Sequence, residues 1–177
     1  MRAALIYLQR RYNFGARYVL VGHSAGASLA FQVVAGLTSV ISNSDSNLVL
    51  PRAVVGFEGI YDFCGLDERM GGAYTPFFEG AFGGDRGGWD AAAPVKFTGN
   101  FGKRWNVEGN PLGVLGWSRD DKLIDEPEVD DMAARLSGDG VHTIVIKDLR
   151  GGHHEICEDG AGVARLILEA LGAIRDP

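Results

Sequence analysis

Three groups of side chains have the types and the chain order that acyl-transfer chemistry needs. The first is Ser24, within Gly22-His23-Ser24-Ala25-Gly26, which fits G-x-S-x-G. The second is Asp120-Asp121, and the third is His153-His154. A serine hydroxyl is a weak nucleophile until an imidazole takes its proton and a carboxylate orients that imidazole. The order Ser, Asp, His is the one used by triads built on a mostly parallel α/β sheet. Each group has a plainer reading. The glycines and serine fit an ordinary loop, Asp120-Asp121 a solvated turn before an acidic helix, and His153-His154 a surface loop beside glycines. A metal site fits less well: His-His-Glu is not H-E-x-x-H, and the acidic run from Asp120 to Asp131 lacks the spacing of a calcium loop.

The elements that must position these groups favour the chemical reading. Tyr18 to Val21 is a four-residue apolar run, expected to be a short strand buried on both faces. A helical pattern begins directly after the motif and is expected to reach Ala35, with Gly36 at its end. Strand, sharp turn and helix together are the context a nucleophile turn requires. In that context Ser24 is expected in a strained backbone conformation, and Gly22 and Gly26 let strand and helix approach. The Ala25 N–H, at the helix start, would face a developing oxyanion.

Ala3 to Tyr12 is expected to be a helix with Ala4, Leu5 and Leu8 on its apolar face, ending at Asn13 and Gly15. Thr38 to Asn47 is rich in Ser and Asn and is expected to be a surface loop. Further strands are expected at Ala53–Phe57, Leu112–Trp117 and His142–Leu149. A helix from Pro127 to about Leu136 carries Asp125, Glu126 and Glu128 at its positive end, and Val163 to Ile174 closes the chain as an amphipathic helix. This alternation predicts an α/β fold: one domain over residues 1–177, a parallel sheet with helices on both faces. Gly65 to Asn110 is the exception, glycine-rich and aromatic, with Tyr74, Phe77, Phe78, Phe82, Trp89, Phe97, Phe101 and Trp105. It is expected to be irregular, as a lid-like insertion over a site or a small helical insertion. The three polar groups then close the first, third and fourth of these strands, at the carboxyl ends where such sheets hold their sites.

Composition narrows the partners. The 177 residues are 46% hydrophobic and carry a net charge of −6, which argues against nucleic acid or an anionic membrane surface. No apolar run is long enough to span a bilayer and no signal-peptide pattern opens the chain, so a cytoplasmic protein is expected. Cys64 and Cys157 stand alone, without metal spacing.

Several segments together resemble the fungal type of kynurenine formamidase (arylformamidase). They are Gly22 to Gly26 with Leu29-Ala30-Phe31-Gln32, Glu58-Gly59-Ile60-Tyr61-Asp62, Ala81-Phe82-Gly83, Asp120-Asp121-Lys122-Leu123 and His153-His154-Glu155-Ile156. The resemblance runs from about Tyr18 to Gly160. It implies hydrolysis of N-formyl-L-kynurenine to L-kynurenine and formate by an α/β-hydrolase fold, with no metal or organic cofactor. It also implies that Ser24 is the nucleophile, that Asp121 is the acid with Asp120 as alternative, and that His153 is the base with His154 at the variable position. A carboxylesterase for small acyl esters and a non-catalytic hydrolase fragment are the competing readings. The His-Gly-Gly-x-Trp segment that lies well upstream of the motif in this group is absent, so the chain resembles the C-terminal part of such an enzyme. From this, Tyr18 to Val21 is expected to form an open sheet edge, with self-association, as a homodimer, or aggregation, and activity near background.

Overall fold

The computed structural model describes residues 1–37, 48–107 and 109–174; the expected loop from Thr38 to Asn47 lies outside them. Four strands, β1 (Val19–His23), β2 (Ala53–Phe57), β3 (Leu112–Ser118) and β4 (His142–Leu149), form a parallel sheet in the order β1-β2-β3-β4. β2 and β4 match the expected ranges, β3 runs one residue further to Ser118, and β1 starts one residue later than expected and extends to His23. Along β2, Val54 faces one side of the sheet while Ala53, Val55 and Phe57 face the other, as a two-residue period requires. On the first side Val54 and Leu115 pack against Ala27 and Phe31 of α2 (Ala25–Ala35) and Met132 and Leu136 of α7 (Glu126–Gly138). On the second, Val55, Val114 and Ile146 pack against Leu166 and Ala170 of α9 (Ala161–Ala173). Helices therefore cover both faces.

β1 is an edge strand, paired with β2 alone among the described residues. Apart from Gly22 its residues are only partly covered, Val21 being 40% exposed, so the expectation of burial on both faces does not hold. A strand with one neighbour and little over its outer side cannot be buried as an interior strand is. The helix α1 (Arg2–Tyr12) buries Leu5 and Gln9 rather than Ala4 and Leu8. The reason is polar: the Gln9 side chain donates to the carbonyls of Gly15 (3.0 Å) and Val49 (2.7 Å) and accepts from the Val49 N–H (3.2 Å). It thereby ties the helix to the segments leading into β1 and β2.

The segment expected to be irregular is built largely of short helices: α3 (Phe63–Arg69), α4 (Thr75–Phe82), α5 (Arg86–Ala92), a 3-10 turn at Pro94–Lys96 and α6 (Phe101–Arg104). The glycines and polar residues that suggest a loop are the punctuation between these helices. Gly83 ends α4 with φ 84°, and the side chains of Asp62, Asp85 and Asn100 cap the starts of α3, α5 and α6. Phe63, Leu66, Phe78 and Trp89 form a subsidiary core with Ile60 and Ile124, which follow β2 and β3. The segment thus sits over the carboxyl end of the sheet. Trp89, Phe101 and Trp105 are buried in the protein's own cores, so only part of the aromatic content is free to line a site. A short helix, α8 (Glu155–Asp159), precedes α9 and was not expected.

Candidate active site

Ser24 stands between β1 and α2 with φ 55° and ψ −126°, a conformation that L side chains rarely adopt. The turn is held by its N–H, which donates to the Phe57 carbonyl of the neighbouring strand (3.1 Å), and by its carbonyl, which accepts from the Ala27 N–H (3.0 Å). Gly22 is required for space: a Cβ there would lie 2.3 Å from the Gly26 carbonyl oxygen. A Cβ on Gly26 would meet nothing within 4 Å, so close approach of strand and helix explains Gly22 but not Gly26. Ala25 is the first residue of α2, where backbone N–H groups have no acceptor within the helix, and it lines the same cavity as Ser24.

Asp121 and His153 are brought together. The Asp121 Oδ2 and His153 Nδ1 lie 2.7 Å apart, with Asp121 6% and His153 8% exposed. The other oxygen of Asp121 accepts from the N–H groups of Leu123 (2.7 Å) and Ile124 (3.1 Å). Burial alone would raise the Asp121 carboxyl. The bonds from His153, Glu58, Leu123 and Ile124 outweigh it and hold the group well below the ordinary carboxylate range. Asp120 turns away; its carboxylate accepts a long contact from the Gly151 N–H (3.4 Å) at the surface. His154 is exposed at the start of α8, with its ring 5.1 Å from that of His153. Of the two pairs of alternatives, the structure therefore joins Asp121 with His153. His153 and Ser24 line one cavity.

That cavity has a volume of about 680 Å³. Tyr74, Phe77, Phe78 and Phe82 of the helical segment form one wall with Phe63, while Leu29, Ile60, Leu123 and Ile124 form much of the rest. Among the described residues lining it, the ionisable side chains are Tyr74, His153 and His154. Such a space suits an apolar, ring-sized group held against a few polar atoms.

Three contributors were not given roles from sequence. The His23 ring lies tilted against the His153 ring with centroids 4.5 Å apart; burial, then the neighbouring His153, push its pKa down. Glu128 was read as an acid at a helix start. Instead it is buried, accepts from the N–H groups of Tyr61 and Asp62 (2.8 Å for Asp62) and pairs with Arg69 at 2.5 Å. It therefore pins the Ile60-Tyr61-Asp62 turn, which Ser28 also holds by donating to the Ile60 carbonyl. Glu58, which directly follows β2, is fully buried with φ 46°, and burial followed by its contact with Asp121 pushes its carboxyl up to about 9. Glu58, Asp121 and His153 each place one potential ligand atom within 4.8 Å of the others. The 2.7 Å separation of Asp121 and His153 is that of two atoms sharing a proton.

The parallel sheet, the strand–turn–helix at Ser24 and the strand-end positions of Asp121 and His153 are those of an α/β-hydrolase fold, and this chain has that fold. Solved structures agree. It superposes on an acetyl ester-xyloside bifunctional hydrolase from Caldicellulosiruptor lactoaceticus with a TM-score of 0.68 at 16% identity, over 96% of this chain and 60% of that one. On the esterase Est2 of Thermogutta terrifontis the TM-score is 0.70 at 12% identity, over 99% and 62%. In sequence the chain is related to proteins named as kynurenine formamidases. It is 30% identical over 175 residues to the kynurenine formamidase-like hydrolase fscH of Fusarium equiseti, covering 96% of this chain and 56% of the relative. It is 32% identical over 187 residues to the kynurenine formamidase avaC of Aspergillus versicolor, covering 92% and 62%. The chain thus spans somewhat more than half the length of these relatives. No family model matches it. Among the described residues no helix is long and apolar enough to cross a membrane.

Proposed function

We propose that this chain carries the catalytic residues of a serine hydrolase that cleaves an aryl formamide, with N-formyl-L-kynurenine as the substrate suggested by its relatives. The observation that carries the reading is the bond between Asp121 and His153 beside a cavity that Ser24 shares. In this reading His153 Nδ1–H donates to Asp121, which leaves Nε2 free to accept the Ser24 proton as Oγ attacks the formyl carbon. The carbonyl oxygen becomes an oxyanion opposite the Ala25 N–H. Collapse breaks the C–N bond, His153 returns the proton to the departing arylamine, and a formyl ester remains on Ser24. Water, deprotonated by His153, then attacks that ester and releases formate. The aromatic wall supports an aryl leaving group.

The second reading is a carboxylesterase, favoured by the lack of any carboxylate, lysine or arginine on the described cavity wall. The same relay serves both, since it attacks an acyl carbon and protonates whichever amine or alcohol departs. The test compares hydrolysis of N-formylkynurenine with that of p-nitrophenyl acetate, alongside Ser24→Ala. Faster turnover of the formamide, abolished in S24A, supports the proposal. Ester hydrolysis without formamide hydrolysis moves the reading to esterase, and activity that survives S24A refutes both.

A further inference from the structure

The scheme above leaves Glu58 idle, and the inference that follows rests on that scheme. A fully buried carboxyl group is costly unless its oxygens are satisfied. Glu58 Oε1 accepts from the Ser118 N–H at 2.9 Å, but no donor reaches Oε2. What contacts Glu58 is the Asp121 carboxyl, itself an acceptor, so the contact closes only when one of the two carries a proton. Asp121 already accepts three hydrogen bonds, from Leu123, Ile124 and His153, all of which favour its anion. The proton therefore resides on Glu58. The other groups acting with or near it are Tyr61, Cys157 and His153.

We propose that Glu58 is a positioning residue of the relay, its carboxylic acid donating a hydrogen bond to Asp121 and so fixing the carboxylate that orients His153. Glu58 does not touch the reacting atoms. When it ionises, two buried carboxylates face each other, their repulsion displaces Asp121, and the imidazole loses its alignment. The relay should then fail on the alkaline side, as pH rises through about 9.

The test measures the rate at which a fluorophosphonate probe labels Ser24, followed by intact mass from neutral pH into the alkaline range. This readout needs the nucleophile and its base but not the natural substrate. Glu58→Gln keeps an oxygen for the Ser118 N–H and an N–H for Asp121 but has no proton to lose. It should label within about threefold of wild type at neutral pH and escape the wild-type decline above pH 9. Glu58→Leu removes the bond and should label ~10- to 100-fold more slowly at neutral pH, the scale of loss that misplacing a catalytic group brings. Equal labelling of E58L and wild type, or an unchanged alkaline decline in E58Q, overturns the proposal. Should E58L fail to fold, the E58Q profile decides, together with an infrared difference spectrum of wild type against E58Q. A carboxylic-acid carbonyl band present only in wild type, and shifted in Asp121→Asn, is expected; its absence overturns the proposal. Wild type that is not labelled at all refutes the nucleophile reading instead, while the infrared band still reports on Glu58.

Discussion

Replacing Asp121 by Asn is the sharpest perturbation of this site, because the structure fixes which way the amide must face. One carboxylate oxygen accepts from two backbone N–H groups, those of Leu123 and Ile124, and the other meets His153 Nδ1. An amide has only one oxygen. Turned so that its NH2 met Leu123 and Ile124, it would oppose two donors to a donor within a buried turn. It will therefore give its oxygen to them and its NH2 to His153. Nδ1 must then accept, which moves the ring proton to Nε2, where the Ser24 proton has to go. The base is disabled while the Leu123 and Ile124 N–H groups and His153 Nδ1 each keep a partner. A wrong-tautomer relay of this kind costs about 10⁴ in rate, or ~5 kcal/mol of transition-state stabilisation. Asp120→Asn, which alters only a long surface contact, should stay within about twofold of wild type. The assay is the Ser24 labelling rate with circular dichroism as the control for folding. A folded D121N that labels within about tenfold of wild type, or a D120N that loses as much as D121N, would refute the assignment of the acid.

The remaining predictions use the same measurements or simple stability assays. His153→Ala should lose at least ~10³ in labelling rate and His154→Ala less than about tenfold, since one ring is held by Asp121 and the other faces solvent; equal losses would contradict this. Gly22→Ala forces a methyl to within 2.3 Å of the Gly26 carbonyl oxygen and should destabilise by ~3 kcal/mol or more, so an unchanged thermal midpoint would show that the turn can give way. Arg69→Met removes the cation beside buried Glu128 and should cost about 3 kcal/mol. Burial already pushes the Glu128 carboxyl, a group of ordinary value 4.5, up to about 7. Its folded-state value lies above the unfolded one, so ionising it opposes folding, and the R69M loss in urea titrations should be larger above pH 7 than below it. A loss independent of pH would mean that Glu128 is not the group affected. The exposed Tyr7, Leu8 and Tyr12 of α1, with Val21 at the sheet edge, predict concentration-dependent self-association. A monomer at all concentrations in size-exclusion chromatography would exclude it.

What could be read from the sequence was whatever is decided within about ten residues. Ala53–Phe57 and His142–Leu149 declare themselves because apolar or alternating runs end at residues that break strands, and Gly36 marks the end of α2 by its left-handed conformation. Which member of each polar pair faces inward was not decided by periodicity or spacing, and was open until the family resemblance favoured Asp121 and His153. The segment from Phe63 to Arg104 defeated periodicity because its helices have eight residues or fewer, too short for a 3.6-residue period to repeat. Gln9 shows a second limit: a polar residue takes the buried face of α1 for the sake of carbonyls on other segments. Glu58 and Glu128 show the same limit at the site. Their partners lie some 60 residues away, so each reads locally as an ordinary turn or helix-start acid.

The left-handed residues Ser24 and Glu58 stand one strand apart, and the backbone builds them in the same way. Each follows the last residue of its strand, and His23 and Phe57 are register partners. The Ser24 N–H donates to the Phe57 carbonyl on the next strand, and the Glu58 N–H donates to the Gly116 carbonyl on the strand after that. A register slip at Gly116/Ser118 ends the series before β4. The sheet therefore carries two matching pedestals side by side, one occupied by a nucleophile and the other by an acid. For anyone rebuilding this scaffold, the second pedestal is a mount that faces inward: a side chain placed there is buried beside Asp121 and acts on the relay rather than on a molecule in the cavity.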